Sequence, residues 1–150
     1  MSVPVWKRGE SRTDFLYDAY QLSIRLVEIT ANKPKKYKGN LSDQIIKTSL
    51  EALKFLQTAN SIYITKDSPL CDFEMRRKYL LVGKAYIENL ATIFYIFIET
   101  VRKHDSENDD KLYKQEQEIG DLCNEAVKRI DGLIKSDKEI YNKYIKGKSL

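Results

Sequence analysis

Apolar residues recur every three or four positions along four segments of the chain, and three short polar stretches separate these segments. This spacing places the apolar side chains on one face of an α-helix, and no segment shows the alternation typical of a half-buried strand. The pattern predicts helices over about 11–32, 41–63, 69–104 and 107–135, followed by a basic tail over 136–150. Because short connections favour antiparallel neighbours, we expect one domain, 1–150, with the all-α fold of an up-down-up-down four-helix bundle.

Residues that interrupt or cap helices mark the three connections. Pro34 and Gly39 lie in the first connection, where a helix cannot continue. In the second, Ser68 is a predicted N-cap and Pro69 takes the first helical position. In the third, Ser106 is a predicted N-cap, and the acidic residues after it complement the positive end of the next helix dipole.

The third segment is the most apolar of the four, with apolar residues around most of the girth of its helix. We expect such a helix to form the centre of the bundle or to meet other subunits. Its longest apolar run, 90–98, spans only about 14 Å as a helix, which is too short to cross a bilayer. The first ten residues lack the apolar stretch of a signal peptide, so we expect a cytoplasmic protein with no membrane partner.

Residues that support catalysis or metal binding are scarce. The chain has one histidine, His104, and two widely separated cysteines, Cys71 and Cys123, which we expect to be reduced residues in or near the core. A di-iron bundle needs Glu-x-x-His pairs on facing helices, and this sequence contains none. The isolated glycines form no phosphate-binding loop, and Gly83 predicts close helix packing or a bend. The sequence therefore predicts a protein that is not an enzyme and holds no catalytic residues, metal or cofactor.

Basic residues are unevenly distributed along the chain. The formal net charge is +4, and residues 1–50 hold nine Lys and Arg against five Asp and Glu, whereas the later thirds are balanced. Such residues can simply solvate the helix faces, or they can form a surface that binds phosphates and releases counterions. The candidates for contact with a polyanion or a protein partner are Lys7, Arg8, Arg12, Lys33, Lys35, Lys36, Lys38, Arg76 and Arg77.

The first part of the sequence resembles a known family of four-helix-bundle proteins. The opening residues Met-Ser-Val-Pro-Val-Trp-Lys-Arg-Gly-Glu-Ser, the later Thr-Ala-Asn-Lys at 30–33, Leu-Ser-Asp-Gln-Ile at 41–45 and Thr-Ala-Asn-Ser at 58–61 are similar to those of Avd-type proteins. These proteins are the accessory variability determinants of diversity-generating retroelements. The likeness covers roughly the first 80 residues.

The resemblance implies a homopentamer of basic four-helix bundles that binds the reverse transcriptase and nucleic acid of a retroelement. Such a protein supports the mutagenic copying of template RNA into cDNA, while the polymerase carries out the chemistry. The alternative is a stand-alone interaction module similar to the ribosomal-RNA intervening-sequence proteins, without a polymerase partner. Those proteins typically carry Ser-Ile-Pro-x-Asn-Ile-Ala-Glu-Gly in the second helix, which this chain lacks.

Overall fold

Four long helices make up almost all of the structure, a computed structural model that describes residues 14–37, 39–104 and 106–145. Their bounds are α1 Asp14–Ala31, α2 Asn40–Ser61, α3 Leu70–His104 and α4 Asp109–Ile140. Short 3-10 turns at Lys35–Tyr37 and Ser106–Asn108 lie in the first and third connections, and a π-helical segment, Tyr141–Ile145, follows α4. Each helix packs against its neighbours in sequence, and α1 also packs against α4. The predicted all-α fold of an up-down four-helix bundle is confirmed.

The core consists of the apolar stripes that the periodicity identified. The apolar face of α1 is at most 3% exposed, and buried apolar side chains come from all four helices. The residues of that face are Phe15, Ala19, Leu22, Leu26 and Ile29. α3 contributes the most to this core, including two phenylalanines. The core residues of the four helices form one cluster, which makes the bundle a single packed unit. The α3 members are Leu80, Ile87, Leu90, Phe94, Phe97, Ile98 and Val101.

Gly83 marks a close approach of α3 to α2. A Cβ atom at this position would lie 2.6 Å from Cδ2 of Leu56, closer than real carbon atoms approach. The absence of a side chain therefore lets Leu56 pack directly against the backbone of α3. Beside it, Phe55 of α2 stacks on Tyr79 and Tyr86 of α3. Of the two predicted readings of Gly83, close packing is the one observed.

The second connection holds its shape through Ser68, but differently from the prediction. Its hydroxyl accepts a hydrogen bond from the backbone N–H of Thr65 at 2.7 Å and is buried. The side chain thus closes the turn before α3 instead of capping the first N–H groups of that helix. The first turn of α3 is closed by the carbonyl of Pro69, which accepts from the N–H of Asp72.

The last helix begins and ends later than the periodicity indicated. α4 starts at Asp109, and it continues without a break through Gly132 to Ile140. Two contacts with the start of α3 hold this extension: Arg76 forms an ion pair with Asp137, and the rings of Phe73 and Tyr141 meet edge to face. These tertiary contacts therefore allow α4 to continue past Gly132, although glycine has a low helix propensity.

α3 is also the one described helix that is long and apolar enough to cross a membrane, judged on length and composition alone. Only 33% of its most apolar stretch is buried inside the bundle. The central helix of a packed bundle meets the same criteria, so this feature is weak evidence for a membrane span. It does show that much of an apolar helix lies at the surface of the chain.

Candidate polyanion-binding surface

The first connection forms a compact cationic turn at one end of the bundle. Its 3-10 turn is closed by the N–H of Tyr37, which donates to the carbonyl of Pro34 at 3.0 Å. Lys35 and Lys36 are exposed on this turn, and Nζ of Lys36 lies 4.9 Å from the centre of the Tyr37 ring. This geometry is a cation–π contact, which orients the ammonium group without neutralising it.

Lys33, in contrast, is buried and serves the fold. Its side chain is 8% exposed, and Nζ donates a hydrogen bond to Oε1 of Gln115 on α4 at 2.6 Å. Because a buried ammonium group is costly without such a partner, this contact anchors the first connection to α4. Lys33 therefore holds the cationic turn against α4, whereas Lys35 and Lys36 are exposed to solvent.

A ring contact joins this turn to the end of α3. Tyr37 stacks on His104 with 6.4 Å between ring centres and 23° between ring planes. Lys103 and His104 are both exposed in the last turn of α3, where positive charge is favourable to the helix dipole. The exposed basic residues and the two rings thus lie at one end of the bundle. We call this set the end surface; it comprises Lys35, Lys36, Tyr37, Lys103 and His104. Lys103 was missed by the sequence analysis, although its place in a helix C-terminal turn beside a basic loop was a usable signal.

A neighbouring arginine contributes little free charge to the end surface. The guanidinium of Arg102 hydrogen-bonds Asp109 at 2.8 Å and Glu99 at 2.8 Å. The hydrogen bond with Asp109 raises the pKa of Arg102 and lowers the pKa of Asp109. Arg102 is therefore surrounded by carboxylates, whereas Lys35, Lys36 and Lys103 form no ion pair among residues 14–37, 39–104 and 106–145.

Arg76 and Arg77 lie at the other end of the bundle and have different roles. Arg76 is buried, and its guanidinium donates to Oδ2 of Asp137 at 2.6 Å and to the carbonyl of Ile62 at 3.0 Å. Burial raises the pKa of Asp137, and the charge and hydrogen bond of Arg76 lower it only in part. Arg76 therefore joins the end of α2, the start of α3 and the end of α4, while Arg77 is exposed.

Arg77 borders a groove of about 520 Å³ between the start of α3 and the end of α4. Phe73, Ile134 and Tyr141 contribute to its apolar lining, and Lys135 and Lys138 also line it. This groove is separated from Lys103 by 26 residues of α3, or about 39 Å of helix. The structure thus splits the predicted basic residues between two ends of the bundle. Four of the predicted residues, Lys7, Arg8, Arg12 and Lys38, lie outside the described residues.

The described part of the chain offers no metal site, and its two cysteines lie in different environments. No three His, Cys, Asp or Glu side chains converge there on a possible metal position. Cys71 is exposed, contrary to the expectation that both cysteines lie in or near the core, and Cys123 is buried. Burial raises the pKa of Cys123 to about 12, which keeps it as an unreactive thiol at neutral pH.

Comparison of the chain with models of protein families, with curated proteins and with solved structures finds no match.

Proposed function

We propose that this protein is a non-catalytic, cytoplasmic accessory protein of a diversity-generating retroelement. In this proposal it assembles as a homo-oligomer, a pentamer by its resemblance to Avd-type proteins, and binds both the reverse transcriptase and nucleic acid. It supports mutagenic synthesis of cDNA from template RNA by holding the polymerase and the RNA together.

The observation that carries the nucleic-acid part of the proposal is the end surface. Lys35 and Lys36 are exposed in the first connection, and Lys103 is exposed in the last turn of α3. The stacked rings of Tyr37 and His104 join these two elements. Ammonium groups neutralise backbone phosphates, and aromatic rings offer stacking faces to unpaired bases. Single-stranded regions of an RNA satisfy both requirements, so this chemistry favours template RNA over a duplex.

The retroelement part of the proposal depends on the sequence resemblance over the first 80 residues. It also agrees with the surface of α3, where Leu81, Tyr95 and Ile96 are exposed in a single chain. A monomer with this much exposed apolar surface is unusual, whereas an oligomer covers it.

An RNA titration at several salt concentrations tests the end surface. We expect a triple variant with Lys35→Ala, Lys36→Ala and Lys103→Ala to bind template RNA more weakly than the wild-type protein. If each ammonium group contacts one phosphate of a single strand, the slope of log affinity against log salt decreases by up to about 2. Equal affinity and equal slope for the two proteins would contradict the assignment.

A matched triple variant at the groove end provides the control. Arg77→Ala, Lys135→Ala and Lys138→Ala remove the same charge about 39 Å away, so overall charge is held constant between the two variants. We expect this control to retain the wild-type salt slope. Loss of binding only in the control would place the RNA at the groove and exclude the end surface.

Affinity purification from cells that carry the native operon tests the partner. The proposal requires a reverse transcriptase in the eluate after nuclease treatment. A stand-alone module of the intervening-sequence type requires none, so an eluate without a polymerase would reject the retroelement proposal.

A further inference from the structure

The groove between the start of α3 and the end of α4 takes no part in the proposed function. Its volume of about 520 Å³ lies within the range of small-molecule sites, which is about 300–1,000 Å³. Such sites combine an apolar lining with a few polar groups in fixed positions. The register of the two helices shows that this groove has both, and where each of them lies.

Two contacts fix the register of α3 against α4 along the groove. The ring of Phe73 on α3 meets that of Tyr141 on α4, with 5.6 Å between ring centres. One turn farther along α3, the guanidinium of Arg76 pairs with Asp137 at 2.6 Å. A step of three residues forward on α3 thus corresponds to a step of four residues backward on α4, as expected for antiparallel neighbours.

This register places two basic residues on opposite walls of the groove at the same level. Arg77 is the residue after Arg76 on α3, and Lys138 is the residue after Asp137 on α4. Because that pair is in contact and each helical residue rises about 1.5 Å, Arg77 and Lys138 are within about 3 Å of each other in height. Lys135 lines the α4 wall about one turn before Lys138. We call Arg77, Lys135 and Lys138 the groove cations.

The groove cations exceed the carboxylates that can neutralise them. Three carboxylates also line the groove. Two of these are neutralised by cations that do not line it, since Asp137 pairs with Arg76 and Asp131 pairs with Lys84. Within the described parts of the chain, Glu74 alone remains against the groove cations, which form no ion pair there. An anion in the groove therefore meets an excess of positive charge.

Three apolar lining residues lie together on one side of the groove cations. Phe73 and Leu70 precede Arg77 by four and seven residues, which places them about 6 and 10 Å away along α3. Tyr141 follows Lys138 by three residues and reaches the same end of the groove from α4. Phe73 is 8% exposed and Leu70 is 44% exposed, so this lining runs from the core to the surface. The groove therefore offers an apolar track about 10 Å long that leads to paired cations.

We propose that the groove binds a small amphipathic anion, namely an unbranched acyl chain that ends in a carboxylate. The carboxylate lies between Arg77 and Lys138, where the guanidinium offers two parallel N–H donors. The chain follows the direction of the groove and packs over Phe73, Tyr141 and Leu70. A nucleotide suits this lining less well, because the polar edge of its base would lie against apolar side chains. This inference goes beyond the proposed function and does not depend on it.

Three eight-carbon probes of different charge test the site. They are octanoate, octanol and octylammonium, each titrated into the purified protein below the concentration at which micelles form. We expect octanoate to bind at one site about tenfold more tightly than octanol, because its carboxylate accepts charge-assisted hydrogen bonds from the groove cations. Octylammonium is expected to bind more weakly than octanol, because its ammonium group is repelled.

Nuclear magnetic resonance of methyl-labelled leucines locates the probe. The methyl resonances of Leu70, assigned by their absence in Leu70→Asn, are expected to shift with octanoate and to saturate. Leu81 is the matched control, since it is 43% exposed on the same helix but does not line the groove, and its resonances are expected to stay in place. Leu70→Asn itself should weaken octanoate and octanol by a similar factor, because both chains lose the same apolar contact.

Two double variants separate the contribution of charge from that of the apolar lining. Arg77→Gln with Lys138→Gln removes both carboxylate contacts at exposed positions. We expect this variant to lose the preference for octanoate over octanol and to keep the affinity for octanol. Lys35→Gln with Lys36→Gln removes the same charge at the end surface and is expected to keep the preference.

Several results would overturn the assignment. A wild-type protein that binds octanoate no more tightly than octanol would show that the groove cations do not select the ligand. Retention of the preference in the Arg77→Gln, Lys138→Gln variant would place the carboxylate elsewhere. Shifts at Leu81 as large as those at Leu70 would show that octanoate simply adsorbs to exposed apolar side chains of α3. None of these measurements involves RNA or reverse transcriptase, so their outcome is independent of the proposed function.

Discussion

Replacing Arg76 with Met removes the charged partner of a buried carboxylate. The side chains of Arg76 and Asp137 are only 10% and 13% exposed, and the guanidinium also satisfies the carbonyl of Ile62. Loss of one partner of a buried pair typically costs about 3–5 kcal/mol, because the remaining charge stays in a poorly solvated site. For a domain of this size we expect the melting temperature to fall by about 10 °C.

The cost of this substitution depends on pH in a defined direction. Burial already raises the pKa of Asp137, and Arg76 counteracts that effect in part. Without Arg76 the pKa in the folded state rises further above the unfolded value, so the folded variant binds a proton more tightly than the unfolded chain. Stability of the variant is therefore lost as pH rises through the two pKa values, and its deficit is smaller at pH 4.5 than at pH 7.

Urea unfolding at both pH values measures the effect. The neighbouring Arg77→Met is the matched control, since Arg77 is exposed, and we expect it to change stability by less than about 0.5 kcal/mol. Adding Asp137→Leu to Arg76→Met should recover much of the loss, because an apolar pair leaves no buried charge. A deficit of Arg76→Met below about 1 kcal/mol at pH 7, or one that does not change with pH, would refute the reasoning.

Two further predictions concern the interior. Gly83→Ala places a methyl group 2.6 Å from Leu56, so an overpacking cost of about 1–3 kcal/mol outweighs the gain in helix propensity. Gly132→Ala meets open space and stabilises α4 by up to about 1 kcal/mol. Urea midpoints of the two variants that shift in the same direction would contradict this account. Cys71 is exposed, whereas Cys123 is buried and its pKa is raised to about 12. A thiol reagent at pH 8 should therefore label one cysteine per native chain and both cysteines after unfolding. Rapid labelling of both thiols in the native protein would show that Cys123 is accessible.

The periodicity of the sequence was sufficient to predict the fold because each helix carries a regular apolar face. Pro34 and the Ser68–Pro69 pair also located two of the connections to within about two residues. The end of α4 was not predictable in this way. Its last turns depend on contacts of Asp137 and Tyr141 with α3, and periodicity within one segment contains no information about such partners.

The candidate site was harder to predict, because sequence proximity does not give the direction of a side chain. Arg76 and Arg77 are neighbours, but they lie about 100° apart around the helix, and one is buried while the other is exposed. Arg76 does fall in line with Phe73, Leu80 and Gly83, so its burial could have been derived from the apolar face of α3. The contact of His104 with Tyr37 in the first connection, in contrast, required the tertiary fold.

Ion pairs are distributed unequally among the helices. α4 is linked to α1 and α3 by six such pairs in the described ranges, whereas α2 takes part in none there and is held by close packing. All but the Arg76–Asp137 pair are partly exposed, and dissolved ions at about 1 M screen exposed charges beyond about 3 Å. Concentrated salt consequently weakens the attachment of α4 near Asp109 and Glu118 before it affects the α2–α3 hairpin. Amide hydrogens of α4 would then exchange with solvent deuterium earlier than those of α2, so ionic strength sets which part of the molecule opens first.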